Sequence, residues 1–419
     1  MNSAVKAPLS VTLVLYVLGI AALLPWNFFI TADSFWQYKL RNVTLGDAWD
    51  SDNSTLTPLQ LAFMPSLVVI SNVFCSAFLL LTSYFVTRIR EVPRMLVTQG
   101  AMLLCMGAIT IFAFVNTDTW QTAFFVLVLI IVAVLNGFEA VFQGSLYGIT
   151  GQLPSHCTNA LVSGMAWAGV FSSVAQIISL AIGDADPVRT GIIYFCIADA
   201  FILLAIALYY YMTRIPFYKD ALSTKEDFVT TDKQPTSLAD YWRVFKKVWR
   251  LSFTMGMSLL VTLAIFPAVQ VYVTSNTPDG PWKDVYFQPT ITFLLFNIGD
   301  LVGRELPRFL RWPRARSWLL PTLSCCRIII AILIMFCYGV DKTFPTLFYS
   351  DGVYIFLNLL FGVTNGYFGC LPLVYYPDFV EPFEKELAGT IMGAVMGAGM
   401  VIGSLISPGF VAIWGPQDK

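Results

Sequence analysis

The chain is a succession of apolar stretches of twenty residues or more, and that pattern leaves few folds open. Hydrocarbon offers no water to backbone N–H and C=O groups, so a segment that enters it must be a helix or part of a closed barrel. These runs are too long for barrel strands. Charged residues make up only 12% of the chain, against about 25% in soluble domains, so too little polar surface exists to face water. The expected fold class is therefore an all-α integral membrane protein. A net charge of −1 points to neither a nucleic-acid partner nor a polybasic membrane tail. The first apolar stretch runs into LLPWNFF without a clear cleavage site, so no cleavable signal peptide is expected.

Hydropathy places eleven spans, near residues 11–30, 59–86, 95–115, 122–149, 159–182, 190–211, 251–273, 286–306, 318–338, 353–375 and 387–414. The longest polar interruption, 214–250, mixes both signs of charge and reads as a linker between a six-helix bundle (1–213) and a five-helix bundle (251–419). Lys and Arg fix the orientation. With the N-terminus cytoplasmic, seventeen fall in inside loops and six outside, with Arg304 and Arg327 left within spans. An odd number of spans then puts the C-terminus outside. The polar segment 31–58 becomes extracellular, and its sequons at Asn42 and Asn53 become candidate glycosylation sites. None of the eight cysteines falls in an outside loop, so a disulfide framework is not expected. The one histidine, His156, lies in the loop LPSHC and reads as a surface residue, which leaves no histidine cluster for metal or catalysis.

Function should reside in the polar residues that remain inside spans, because each is costly in lipid. The eighth span carries Asn297, Asp300 and Arg304, with the two charges four residues apart and so on one helical face. Arg304 either pairs with Asp300 or opens the basic run Arg308, Arg311, Arg314, Arg316 and snorkels to the surface. In the fourth span Asn136, Glu139, Gln143 and Tyr147 form one stripe. An acid and an amide a turn apart suit directional hydrogen bonds to a polar solute; the alternative is that Glu139 pairs with a buried cation such as Arg327. Asp199 reads as a helix-to-helix bond, Trp26 as an aromatic-belt residue, and Phe266-Pro267 as a kink. Glycines at 389, 393, 397, 399 and 403, and Gly164, Ala168 and Gly169, mark faces for either permanent packing or sliding.

No Walker A sequence, dinucleotide fingerprint or HExxH is present, which disfavours an ATP-driven pump or a membrane protease. No catalytic residue, cofactor or metal is expected. LPWNFFITA, FQGSLYG, FPAV, FNIGDLVGR and TNGYFG, in this order and one per helix, resemble the equilibrative nucleoside transporters over nearly the whole length. The resemblance implies a major-facilitator-like arrangement of six and five helices. It implies facilitated diffusion of nucleosides such as adenosine and uridine, and for some members nucleobases, by alternating access across a lipid bilayer. It implies that Trp26 packs on the permeant, Gln143 hydrogen-bonds the base, and Asp300 with Arg304 holds the ribose, while Asn297 and Phe293 line the same cavity. Glu139 departs from the family, where a small residue precedes the FQGS motif, and opens an alternative: a proton-coupled or organic-cation transporter. The family's cation-transporting branch resembles this chain less, since Met165 stands where that branch has a carboxylate. A nucleoside-binding receptor without transport is the alternative from another class. The cell surface is the expected location and an intracellular membrane the alternative; oligomeric state is open.

Overall fold

The computed structural model describes residues 7–43, 56–150, 153–184, 186–219, 238–339, 342–381 and 384–414. Asn53 and residues 220–237 lie outside the described residues. The described chain is helical. Its helices are α1 (Leu9–Thr31), the short α2 (Asp33–Lys39), α3 (Pro58–Arg88), α4 (Glu91–Phe114), α5 (Gln121–Thr150), α6 (Ser155–Ile182) and α7 (Pro187–Met212). There follow α8 (Leu238–Ile265), a π-helical stretch (Trp282–Tyr286 and Gln288–Leu295) that flows into α9 (Phe296–Glu305), α10 (Leu319–Met335), α11 (Asp351–Tyr375) and α12 (Lys385–Trp414). Among the described residues, ten helical units are long and apolar enough to cross a membrane. The expected ninth span is represented by α10, which is apolar but has only 17 residues. The protein is a multi-pass membrane protein.

Helices that precede residue 213 pack mainly on one another: α1 on α6, α3 on α5, and α4 on α5 and α7. Those from 238 onward do the same, with α8 on α12, α9 on α11, and α10 on α8 and α11. The two groups meet along α6, which lies against the π-helical stretch and α9, and where α3 meets α12. This layout separates the two readings of the glycine faces. Gly164 abuts α1, where an added Cβ would lie 2.1 Å from Tyr16 O, and Gly399 abuts Gly256 of α8 at 2.2 Å. Both are contacts inside one group and serve permanent packing. Gly169 and Gly397 instead face the other group, against Asn297 and Ser76.

Three expectations change. The linker does not run to residue 250, because α8 is continuous from Leu238. Its first turns bury Val244 and Val248 and leave Trp242 and Lys246 outward, an amphipathic pattern that a window tuned to apolar runs skips. Phe266-Pro267 is a break rather than a kink: within the apolar unit Ala239–Tyr272, α8 ends at Ile265, and these residues begin the turn that leads to Gln270–Tyr272. His156 sits in the first turn of α6 rather than in a loop, and it is exposed as expected. Asp199 makes the expected helix-to-helix bond, accepting from Thr110 Oγ1 of α4 at 2.6 Å. All eight cysteines are free thiols.

Candidate functional site

The backbone changes pitch at Leu295/Phe296, from wide π turns to an α-helix. Asp300 and Arg304 lie beyond that change, so the four-residue spacing rule holds for them. Arg304 Nε donates to Asp300 Oδ2 at 2.7 Å. The Asp300 residue is 7% exposed, whereas the Arg304 side chain is 34% exposed. No other hydrogen bond engages the Arg304 guanidinium among the described residues, so its two Nη groups are open to a further acceptor. The pairing reading therefore holds over simple snorkelling.

Asp300 is fixed from behind. The α9–α11 contact is made through glycine: a Cβ on Gly366 would fall 2.0 Å from Asp300 O and 2.8 Å from Arg304 N. That close approach lets the neighbouring Asn365 reach the carboxylate, and its Nδ2 donates to Asp300 Oδ1 at 2.6 Å. Thr262 Oγ1 of α8 donates to Asn365 Oδ1 at 2.7 Å, nearer than its own-helix acceptor Ser258 O at 2.9 Å. Arg327 Nη2 of α10 donates to Thr262 Oγ1 at 2.8 Å. A polar chain thus runs Arg304–Asp300–Asn365–Thr262–Arg327 through four helices. Arg327 is 1% exposed. It also donates to Ser258 Oγ at 2.8 Å, Phe361 O at 3.1 Å and Thr364 Oγ1 at 3.0 Å, and it lies over the Phe361 ring. It does not pair with Glu139. Hydroxyls and helix carbonyls satisfy its donors instead.

On the other group the fourth-span stripe divides in two. Asn136 and Glu139 are buried, at 4% and 3% exposure, facing α3. Asn136 Nδ2 donates to Ser71 Oγ at 3.2 Å, and Glu139 is within electrostatic reach of Cys75. One Glu139 oxygen, Oε2, is buried without a hydrogen-bond partner. Gln143 and Tyr147 are more open and turn toward Met165 of α6. Tyr147 Oη donates to its sulfur at 3.3 Å, and Gln143 Nε2 makes only a long contact with it at 3.9 Å. Tyr147 is also within electrostatic reach of Arg304, which links the open end of this stripe to the charged pair across the groups.

Trp26 is partly buried on α1 and, among the described residues, has neither ring stacking nor a hydrogen bond. Trp36 differs, since its Nε1 donates to Phe29 O at 2.9 Å. Asn297 bridges the groups, donating from Nδ2 to Ser173 Oγ at 3.1 Å. It fits against α6 because residue 169 is glycine; a Cβ there would lie 2.2 Å from Asn297 Oδ1. Phe293 is fully buried against Phe266, with ring centroids 5.8 Å apart, and presents no surface to a cavity. It lies in the π-helical stretch, before the pitch change. At the end of α6 remote from Arg308, Gln288 Nε2 donates to Asp33 Oδ2 at 2.9 Å. Burial raises the Asp33 carboxyl above its ordinary range, while hydrogen bonds from Gln288 and Gln37 oppose that rise.

Asn365, Thr262, Met165 and Ser173 were missed as site residues by sequence reasoning. Asn365 had a signal, since it lies within TNGYFG. The set that remains incompletely engaged is an indole face, an amide, and a guanidinium locked to a carboxylate. Inside a membrane protein such groups are suited to a polar solute with a flat ring and hydroxyl oxygens.

The model of the nucleoside transporter family matches residues 129–412. Equilibrative nucleoside transporter 2 of Homo sapiens is 32% identical over 442 residues, covering 95% of this chain and 96% of its own length. Equilibrative nucleoside transporter 1 of Homo sapiens is 31% identical, covering 96% and 97%. Among solved structures, nucleoside transporter NupG is similar with a TM-score of 0.52 at 13% identity, over 95% of this chain and 90% of that one. A bacterial homologue of the human drug peptide transporters PepT1 and PepT2 gives a TM-score of 0.52 at 12% identity, over 98% and 90%. These two likenesses show a shared fold. The family match and the full-length identity together show that this chain belongs to the nucleoside transporter family.

Proposed function

We propose that the protein carries nucleosides such as adenosine and uridine down their gradients by alternating access. The observation that carries this reading is the partly exposed Arg304 guanidinium, tied to Asp300 by a single bond. A cation inside a membrane helix, with its remaining donors unsatisfied by protein, is costly unless water or a solute meets it. Ribose hydroxyls can donate to the carboxylate and accept from the guanidinium at once. The base then lies on the Trp26 face and hydrogen-bonds Gln143. Asn297 closes one side of the site, and Phe293 and Glu139 support it from the packed interior. Binding that must also release its solute belongs in the micromolar-to-millimolar range, about 4–8 kcal/mol.

The helices up to residue 213 and those from residue 238 onward form the two halves that rock about this site. The N-terminus is cytoplasmic, the C-terminus extracellular, Asn42 and Asn53 carry glycans, and the plasma membrane is the location. The test is uridine uptake by proteoliposomes that hold Asp300→Ala; uptake equal to the parent's overturns the reading. Counterflow of labelled nucleoside separates a carrier from a receptor, which shows none. The unpartnered Glu139 oxygen favours a second reading, proton coupling. Uptake that is flat with pH in the parent removes it; uptake that rises with acidity and loses this dependence in Glu139→Gln establishes it.

A further inference from the structure

On the face that carries Arg308 and Arg316, a cavity of about 140 Å³ lies between the start of α8 and the segment that leads into α10. Lys246, Lys247, Trp249, Arg250, Arg316 and Phe379 line it. Surface cations usually meet carboxylates, but here only Lys247 does, with Glu384 at 2.6 Å. Lys246, Arg250 and Arg316 have no carboxylate partner among the described residues. Aromatic faces hold them instead. The Arg250 guanidinium lies 4.2 Å from the Trp318 ring centroid and 5.6 Å from that of Trp249, and its Nη1 donates to Arg316 O at 3.1 Å. Arg316 lies 6.0 Å from the Phe379 centroid, and Lys246 5.4 Å from that of Trp242. Stacking fixes these cations in place without neutralising them.

The groove also sits where α8 and α10 pass from polar to apolar sequence. Beside it Trp318 is 58% exposed, Phe253 42% and Leu319 39%. Positive charge at a membrane edge, with aromatic and aliphatic surface leading away from it, matches a lipid whose head is anionic. The cavity is well below the ~300 Å³ of a drug-sized pocket, which suits a phosphate group. We propose that this groove binds the headgroup phosphate of an anionic phospholipid of the adjacent leaflet, with the acyl chains lying along Trp318, Leu319 and Phe253. The site is separate from the permeant site and stands whether or not the permeant is a nucleoside.

The test uses the full-length purified protein, delipidated in neutral detergent, with short-chain phosphatidylglycerol, short-chain phosphatidylcholine and inorganic phosphate as probes. Native mass spectrometry reads retained lipid. The parent is expected to retain phosphatidylglycerol in preference to phosphatidylcholine, and Arg250→Gln with Arg316→Gln to reduce that preference about thirtyfold. Arg250→Lys with Arg316→Lys keeps the charge and should keep most of the preference, and Arg189→Gln, remote from the groove, should keep all of it. Size-exclusion profiles and melting temperatures that match the parent's establish that the Gln variant is folded; if it fails to fold, parent-level competition among the three probes decides. Equal retention of both lipids by the parent, or unchanged preference in a folded Gln variant, overturns the proposal. Displacement of phosphatidylglycerol by inorganic phosphate at equal concentration assigns the groove to a free anion and overturns the lipid as its occupant.

Discussion

Asn365→Leu removes the bond that holds Asp300 from behind, together with the one Asn365 accepts from Thr262, whose hydroxyl keeps Ser258 O as an acceptor. Leucine has the branched skeleton of asparagine with methyls in place of the amide, so the change removes hydrogen bonding and adds some bulk between α11 and α9. Asp300 Oδ1 loses the donor that lies 2.6 Å away. It is enclosed enough that water cannot readily replace that donor, with Asp300 7% exposed. A hydrogen bond to a charged group contributes about 1.5–3 kcal/mol, so the productive pose of Asp300 should become about ten- to 150-fold less populated. Initial-rate uptake of labelled uridine into proteoliposomes, normalised to reconstituted protein, should fall by that factor. Thermal unfolding followed by tryptophan fluorescence separates this loss from misfolding. In an Asp300→Asn background the same Leu change should cost much less, because the two residues act as one unit. Uptake within about twofold of the parent, or full additivity of the two losses, would refute the idea that Asn365 orders Asp300.

Arg327→Met should be strongly destabilising, since it leaves Ser258, Thr262 and Thr364 without their buried donor; a drop in melting temperature checks this. Gly169→Ala should push Asn297 off α6 and reduce uptake while the protein still assembles, because the clash is with the end of a side chain; parent-level uptake would contradict it. Gly366→Ala meets backbone on α9 and should prevent assembly, read as loss of a monodisperse size-exclusion peak. Phe293→Ala should cost about 3–5 kcal/mol of stability yet leave the ratio of adenosine to uridine uptake unchanged, since the ring is enclosed.

The spans were legible because a membrane forces one signal, a long apolar run, on every crossing. The Asp300–Arg304 pair was legible for a similar reason: two charges in such a run, one turn apart, must answer to each other. What escaped was set by partners far away in the chain. Arg327 invited an acidic partner, but its donors are met by hydroxyls and carbonyls of α8 and α11, which composition does not flag. Phe293 was expected at the cavity from the family resemblance alone, and its place among π turns leaves no regular spacing from which its face could be read. Met165 entered the reading only as an absent carboxylate, whereas its sulfur receives Tyr147 and Gln143. The helical start at Leu238 was hidden because a half-wet helix does not look like a span.

The polar chain from Arg304 to Arg327 contains two guanidiniums and one carboxylate. That chain therefore carries an uncancelled unit of positive charge beside the transport route proposed above. A protonated amine that approaches along that route climbs an electrostatic hill, whereas an uncharged molecule rich in lone pairs does not. By this filter alone the pathway should turn away cations and accept neutral sugars joined to rings.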